Sequence, residues 1–139
     1  MDQKQNQQAM MDDTVKRHFF ELYCLALADG YLDFQELQTL YELGVEHGIE
    51  PEQINRIVLT ADIPPTIPDT IDRKIEYLYD LTRLAWADGK IAAEERSVIE
   101  KCVIHYGFLN ENAKGIVDFL IDAVKENRSK TDILNEING

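Results

Sequence analysis

The sequence predicts an all-α fold: a single compact bundle of about seven helices, built from an internal duplication of a three-helix unit. Three observations carry this reading. Apolar residues recur at spacings of three and four through every long segment, and no segment alternates apolar and polar as a strand does. The stretch Ala26-Leu27-Ala28-Asp29-Gly30-Tyr31-Leu32-Asp33-Phe34-Gln35-Glu36 returns as Ala85-Trp86-Ala87-Asp88-Gly89-Lys90-Ile91-Ala92-Ala93-Glu94-Glu95. Asp29 thereby pairs with Asp88, Gly30 with Gly89 and Glu36 with Glu95, at a constant offset of 59. The correspondence also extends outward: Leu22 and Leu25 match Leu81 and Leu84, Leu40 matches Ile99, and Gly48-Ile49 matches Gly107-Phe108. Repeat one covers about 13–60 and repeat two about 68–126. Two copies are too few for an open solenoid, which needs at least ~3 repeats, so the halves are expected to face each other in one closed domain.

Residues 1–11 are polar, glutamine-rich and without period, and are expected to be a disordered tail ahead of a single helical domain at 12–139. Asp12 or Asp13 offers an N-cap, and the first helix then runs to about Ala28. Val15, Phe19, Leu22 and Ala26 form one face; Phe20, Cys24 and Leu27 form a second, so its C-terminal half is apolar nearly all round and belongs in the middle of the domain. Gly30 and Gly89 mark the structural turn, because glycine takes the left-handed backbone that ends a helix without a Cβ penalty. Asp33 caps the second helix, with Glu36 three residues on completing a capping box. Phe34, Leu37, Leu40 and Tyr41 give its expected buried face.

Pro51 opens a short third helix carrying Ile54, Ile57 and Val58. The segment 61–68, with Pro64, Pro65 and Pro68, cannot be helical and connects the two copies. A fourth helix is expected from about Pro68 to Ala87, with Ile71, Ile75, Leu78, Leu81 and Ala85 in register. A fifth over about 92–106 carries Ile99, Cys102, Val103 and Tyr106, and a sixth starts at Asn110 as N-cap and uses Ala113, Ile116, Val117, Leu120 and Val124. A short final helix from Thr131 through Ile137 has three apolar anchors, Ile133, Leu134 and Ile137.

Composition narrows the function classes. Twenty-six acidic residues against 14 basic ones leave a formal net charge of −12, which repels phosphate backbones and argues against nucleic-acid binding. No apolar run approaches the ~20 residues of a membrane span, and the start Met1-Asp2-Gln3-Lys4 lacks the features of a signal peptide, so a cytoplasmic protein without membrane insertion is expected. Cys24 and Cys102 form no C-x-x-C pair and read as buried apolar fillers.

Three explanations compete for Asp29, Glu36, Asp88 and Glu95. In the structural one, each aspartate accepts N–H groups of the following turn, around Tyr31-Leu32 and Lys90-Ile91, and each glutamate is the N3 member of the next helix's capping box. The second copy has Ala92 where the first has Asp33, so Glu95 is kept there without a side-chain cap. In the second explanation the four carboxylates converge on a divalent cation, with Asp33 and Glu94 placed to add charge; oxygen-only ligands suit Mg²⁺, Ca²⁺ or Mn²⁺. The third, an EF-hand, fails: its first and third loop positions would be Leu25 and Leu27, or Leu84 and Trp86, which cannot coordinate calcium.

The tandem motif, Leu-Ala-Leu-Ala-Asp-Gly-Tyr-Leu-Asp-Phe-Gln-Glu at 25–36 and Leu-Ala-Trp-Ala-Asp-Gly-Lys-Ile-Ala-Ala-Glu-Glu at 84–95, resembles the TerB-like family of tellurite-resistance and stress-associated helical domains. The resemblance runs from about residue 13 to 126. It implies a non-enzymatic helical module for protein interaction or stress response, with Asp29, Glu36, Asp88 and Glu95 as a cation-binding centre. Ala92-Ala93 departs from that pattern by thinning the acidic cluster of the second copy. Two other functions stay open: a carboxylate-based metal-dependent enzyme acting on a small or phosphate-bearing substrate, and a purely structural interaction module without ligand. A protein partner is expected; catalytic residues are not, since Ser97 and Ser129 lack a recognisable base or nucleophile elbow. His47 and His105 sit near helix C-termini, where the dipole favours a cation. His18 completes the set, and no short-spaced His or Cys cluster suggests zinc. Trp86 reads as core.

Overall fold

The computed structural model describes residues 13–28, 30, 33–59 and 66–138, and within them seven α-helices and no strand. They are α1 (Asp13–Ala26), α2 (Phe34–Glu46), α3 (Pro51–Leu59), α4 (Ile71–Ala85), α5 (Ala93–His105), α6 (Asn110–Lys125) and α7 (Lys130–Asn138). The all-helical prediction holds, including the short last helix.

Helix α4 is the hub, packing on α1, α2, α5, α6 and α7. The six consecutive residues from Tyr77 to Thr82 are all buried. A helix wrapped on every side must satisfy its polar groups internally, and the Thr82 hydroxyl does so by donating to the Leu78 carbonyl at 2.8 Å. The central place expected for the first helix therefore belongs to α4. In α1, Phe19, Leu22, Leu25 and Ala26 face inward as one stripe, but Leu27 is 40 % exposed just beyond its end and Cys24 is exposed too. Only Cys102 is a buried filler; the expectation for Cys24 is corrected, because its side of α1 has no helix covering it fully.

Local signals place the helix starts. Asp33 holds an extended backbone and its Oδ1 accepts the Glu36 N–H at 2.8 Å, while Glu36 Oε1 accepts the Asp33 N–H at 3.4 Å, a complete capping box. Thr70 caps α4 by accepting the Arg73 N–H. Helix α6 starts one residue earlier than expected: Leu109 is the N-cap, without a side-chain bond, and Asn110 lies inside. Gly30 and Gly89 both have positive φ, +105° and +88°.

The buried stripe of α2 differs from the expected one. Glu36, Leu40, Leu43 and Gly44 point inward, whereas Phe34 is 72 % exposed. Position 36 shares the face of Leu40 and Leu43 by helical spacing; Phe34, in the first turn, falls on the outer side. A carboxyl group thus takes a core position. Gly44 is small for a reason: α3 crosses so closely that a Cβ there would meet Ile54 Cδ1 at 2.6 Å and the Ile49 carbonyl oxygen at 2.9 Å. Helix α7 docks on α4 through buried Ile133, and the Tyr79 hydroxyl donates to the Arg128 carbonyl just before it.

Candidate functional site

Among the described residues, buried polar groups interrupt the apolar core in several places, and two clusters bear on function. The first joins the first turns of α2 and α5. Glu36 and Glu95 are 2 % and 3 % exposed, and their side chains hydrogen-bond to each other. Each is anchored locally by its Oε1, which accepts the backbone N–H of residue 33 or 92. In α5 this is half of a capping box, since Ala92 has no side chain to reciprocate. Two carboxyl groups in contact cannot both ionise cheaply in a dry site. Burial, and next the hydrogen bond with Glu95, push Glu36 up to about 8, against the opposing pull of the Asp33 N–H. Glu36 is therefore held protonated at neutral pH, beside the Glu95 carboxyl.

Of the other expected ligands, Asp33, Asp88 and Glu94 are not part of this pair. Asp88 is exposed, and its Oδ1 accepts the Lys90 N–H at 3.3 Å, as the structural explanation of the turn requires. Asp33 is half-buried and serves as the N-cap of α2, and Glu94 is exposed. Asp29 lies outside the described residues.

The second cluster has no counterpart in the sequence motifs. His18 of α1, His47 at the C-terminal cap of α2 and Asp80 of α4 meet beneath the surface. His18 Nε2 lies 2.9 Å and His47 Nε2 2.8 Å from the same oxygen, Asp80 Oδ2. The other oxygen, Oδ1, has Lys130 Nζ at 2.7 Å, an ion pair whose angles fall outside those of a hydrogen bond. His18 and Asp80 have no side-chain exposure, while His47 retains 14 %. The Tyr77 ring stacks on His18 at 3.9 Å and 6°, which fixes the plane of the imidazole.

Burial is the largest influence on His18 and lowers its pKa in spite of the Asp80 carboxylate. For Asp80, burial alone would raise the pKa, but hydrogen bonds from His18 and His47 overcome it and hold the carboxyl well below the usual carboxylate range. The arrangement is thus an ionised aspartate between a neutral His18, which donates Nε2–H, and His47. The Nδ1 atom of His18 is buried without a hydrogen-bond partner. The sequence has no short-spaced histidine cluster, and the fold assembles this one from positions separated by 62 and 33 residues, which no local spacing announces.

Open clefts lined by described residues accompany these clusters. One of about 420 Å³ is lined by Tyr79, Arg83, Trp86 and Lys125 among others. Trp86 is half-buried there rather than core, with Lys125 Nζ 5.4 Å from its ring centroid. The other, about 250 Å³, lies between α1 and α5 and is lined by Phe20, Cys24, Val98 and Cys102 among others. Among the described residues no helix is long and apolar enough to cross a membrane. No protein-family model, curated protein or solved structure matches this chain.

Proposed function

We propose that this chain is a non-enzymatic helical interaction module of the TerB-like kind, whose two three-helix units are copies clamped at Glu36 and Glu95 by a shared proton or a divalent cation. The observation that supports it is the meeting of these two glutamates, 59 positions apart, as a buried hydrogen-bonded pair. A pair of carboxyl groups out of water holds one positive charge between them; a proton fills that role at neutral pH, and a hard ion such as Mg²⁺, Ca²⁺ or Mn²⁺ can replace it. Exposed Asp88 would supply charge at the rim rather than a ligand in the pair. The clamp joins α2 to α5, so its occupancy would tighten or loosen the surface that these helices offer a protein partner.

Thermal unfolding of chelated protein, followed by separate titrations of Mg²⁺, Ca²⁺ and Mn²⁺, tests this. An ion that binds only the native state at a hundredfold excess over Kd stabilises it by about 2.7 kcal/mol. Stabilisation by one of these ions, abolished in Glu36→Gln/Glu95→Gln, is the expected result. If no ion raises the midpoint, or the double variant responds as the parent does, the cation clamp is wrong and the pair is architecture.

A further inference from the structure

We propose that His18, His47 and Asp80 form a binding site for a divalent transition ion of the zinc class, held by the Nε2 atoms of both imidazoles and by Oδ2 of Asp80. The inference is independent of the carboxyl clamp. Three ligand atoms from α1, the α2 cap and α4 lie within 4.8 Å of one another, two of them already aimed at the third. An ion at about 2.0–2.2 Å from each, in tetrahedral geometry, needs about 3.3 Å between ligand atoms. The two imidazole–carboxylate distances of 2.8 and 2.9 Å would therefore open by about half an ångström, a side-chain adjustment rather than a refolding. Two nitrogens and one oxygen suit Zn²⁺ or Co²⁺ and not Mg²⁺ or Ca²⁺, and three protein ligands leave a fourth position open.

The surroundings fit an added cation. Lys130 engages Asp80 Oδ1, leaving Oδ2 to the ion, as an outer partner of a ligating carboxylate does. Glu46 and Glu76 lie 3.6 and 3.7 Å from the same ammonium, and Arg83 pairs with Glu46. Three carboxylates against Lys130 and Arg83 leave the neighbourhood net negative. Stacking on Tyr77 holds the His18 ring in the ligating plane. Access is past His47, the one ligand with side-chain exposure. The weak point of the site is also visible. With an ion on Nε2, His18 Nδ1 must carry the proton, and that buried atom has no acceptor. A missing outer partner of this type costs about 10–100-fold in affinity, so binding weaker than in a fully supported zinc site is expected.

The experiment adds Co²⁺ to the metal-stripped full chain and reads the visible absorption bands that low-symmetry Co²⁺ acquires with nitrogen ligands. One Co²⁺ per chain, displaced by Zn²⁺, lost in His47→Gln and kept in Glu36→Gln/Glu95→Gln, is the expected outcome. Absence of the bands in the parent chain, or bands undiminished in His47→Gln, overturns the site. Should His47→Gln fail to fold, imidazole ¹⁵N spectra of the parent chain decide. Zn²⁺ must shift the Nε2 resonances of His18 and His47; a shift confined to His105, or none, overturns the proposal.

Discussion

Replacing Glu36 by glutamine isolates the buried carboxyl pair. Burial is the main reason Glu36 rises from 4.5 to about 8. A group whose folded pKa lies above its unfolded one lends its stability fully below the unfolded value and loses it as pH climbs through the folded value. The relevant window is therefore pH 4.5 to about 8. At about 1.4 kcal/mol per pH unit, that interval sets a ceiling of about 5 kcal/mol on what ionisation removes. A pair that admits water as it ionises realises less, on the order of 2 kcal/mol. Glutamine reproduces the neutral state: its Oε1 can accept the Asp33 N–H and its amide can donate to Glu95, and it never ionises. The variant should match the parent near pH 5 and exceed it by about 2 kcal/mol at pH 9 in chelator. Urea unfolding followed through Trp86, the single tryptophan, at pH 5, 7 and 9 measures this directly. Stability curves that run parallel for parent and variant across that range would show that Glu36 does not titrate there, and would refute the shared proton.

Two further outcomes follow from the geometry. Gly44→Ala gains helix propensity but places its Cβ 2.9 Å from the Ile49 carbonyl oxygen and 2.6 Å from Ile54 Cδ1, and backbone cannot step aside as a side chain can. A net loss of about 1–3 kcal/mol is expected in thermal unfolding, and an unchanged or raised midpoint would contradict the close α2–α3 crossing. Ala92→Asp supplies the cap that α5 lacks: Ala92 has φ −71° and ψ 154°, close to the extended backbone from which Asp33 caps α2. A gain of about 0.5–1 kcal/mol is expected, with Asp33→Ala losing a similar amount, and equal stabilities in denaturant titration would show that these caps carry nothing.

The local features of this fold were legible because they depend on neighbours within four residues. The Asp33–Glu36 box, the Thr131–Ile137 helix and the turn at Gly89 each rest on such short-range contacts. The Asp88 side chain bonding to the Lys90 N–H was also foreseeable, as a turn interaction two residues long. Legibility ended where one helix face had to be chosen over another. Phe34 and Glu36 both stand in the first turn of α2, and hydrophobicity alone favours Phe34 for the core. Yet Glu36 lies in register with Leu40 and Leu43, and the Glu95 carboxyl from α5 stands beside it.

What the sequence by itself determined is the all-helical class, the Asp33–Glu36 capping box, the opening of α3 at Pro51, and the matching glutamates that a duplicated unit would bring together. Only the tertiary structure decided which helix is central, which cysteine faces water, and that His18, His47 and Asp80 meet. The physical reason is range. Helix periodicity and capping are settled by hydrogen bonds and sterics within a turn, whereas burial, a displaced pKa and a ligand set depend on groups that only packing makes neighbours. Asp80 shows this most plainly, an aspartate in the middle of an ordinary helical pattern whose chemistry comes entirely from two histidines and a lysine on three other elements.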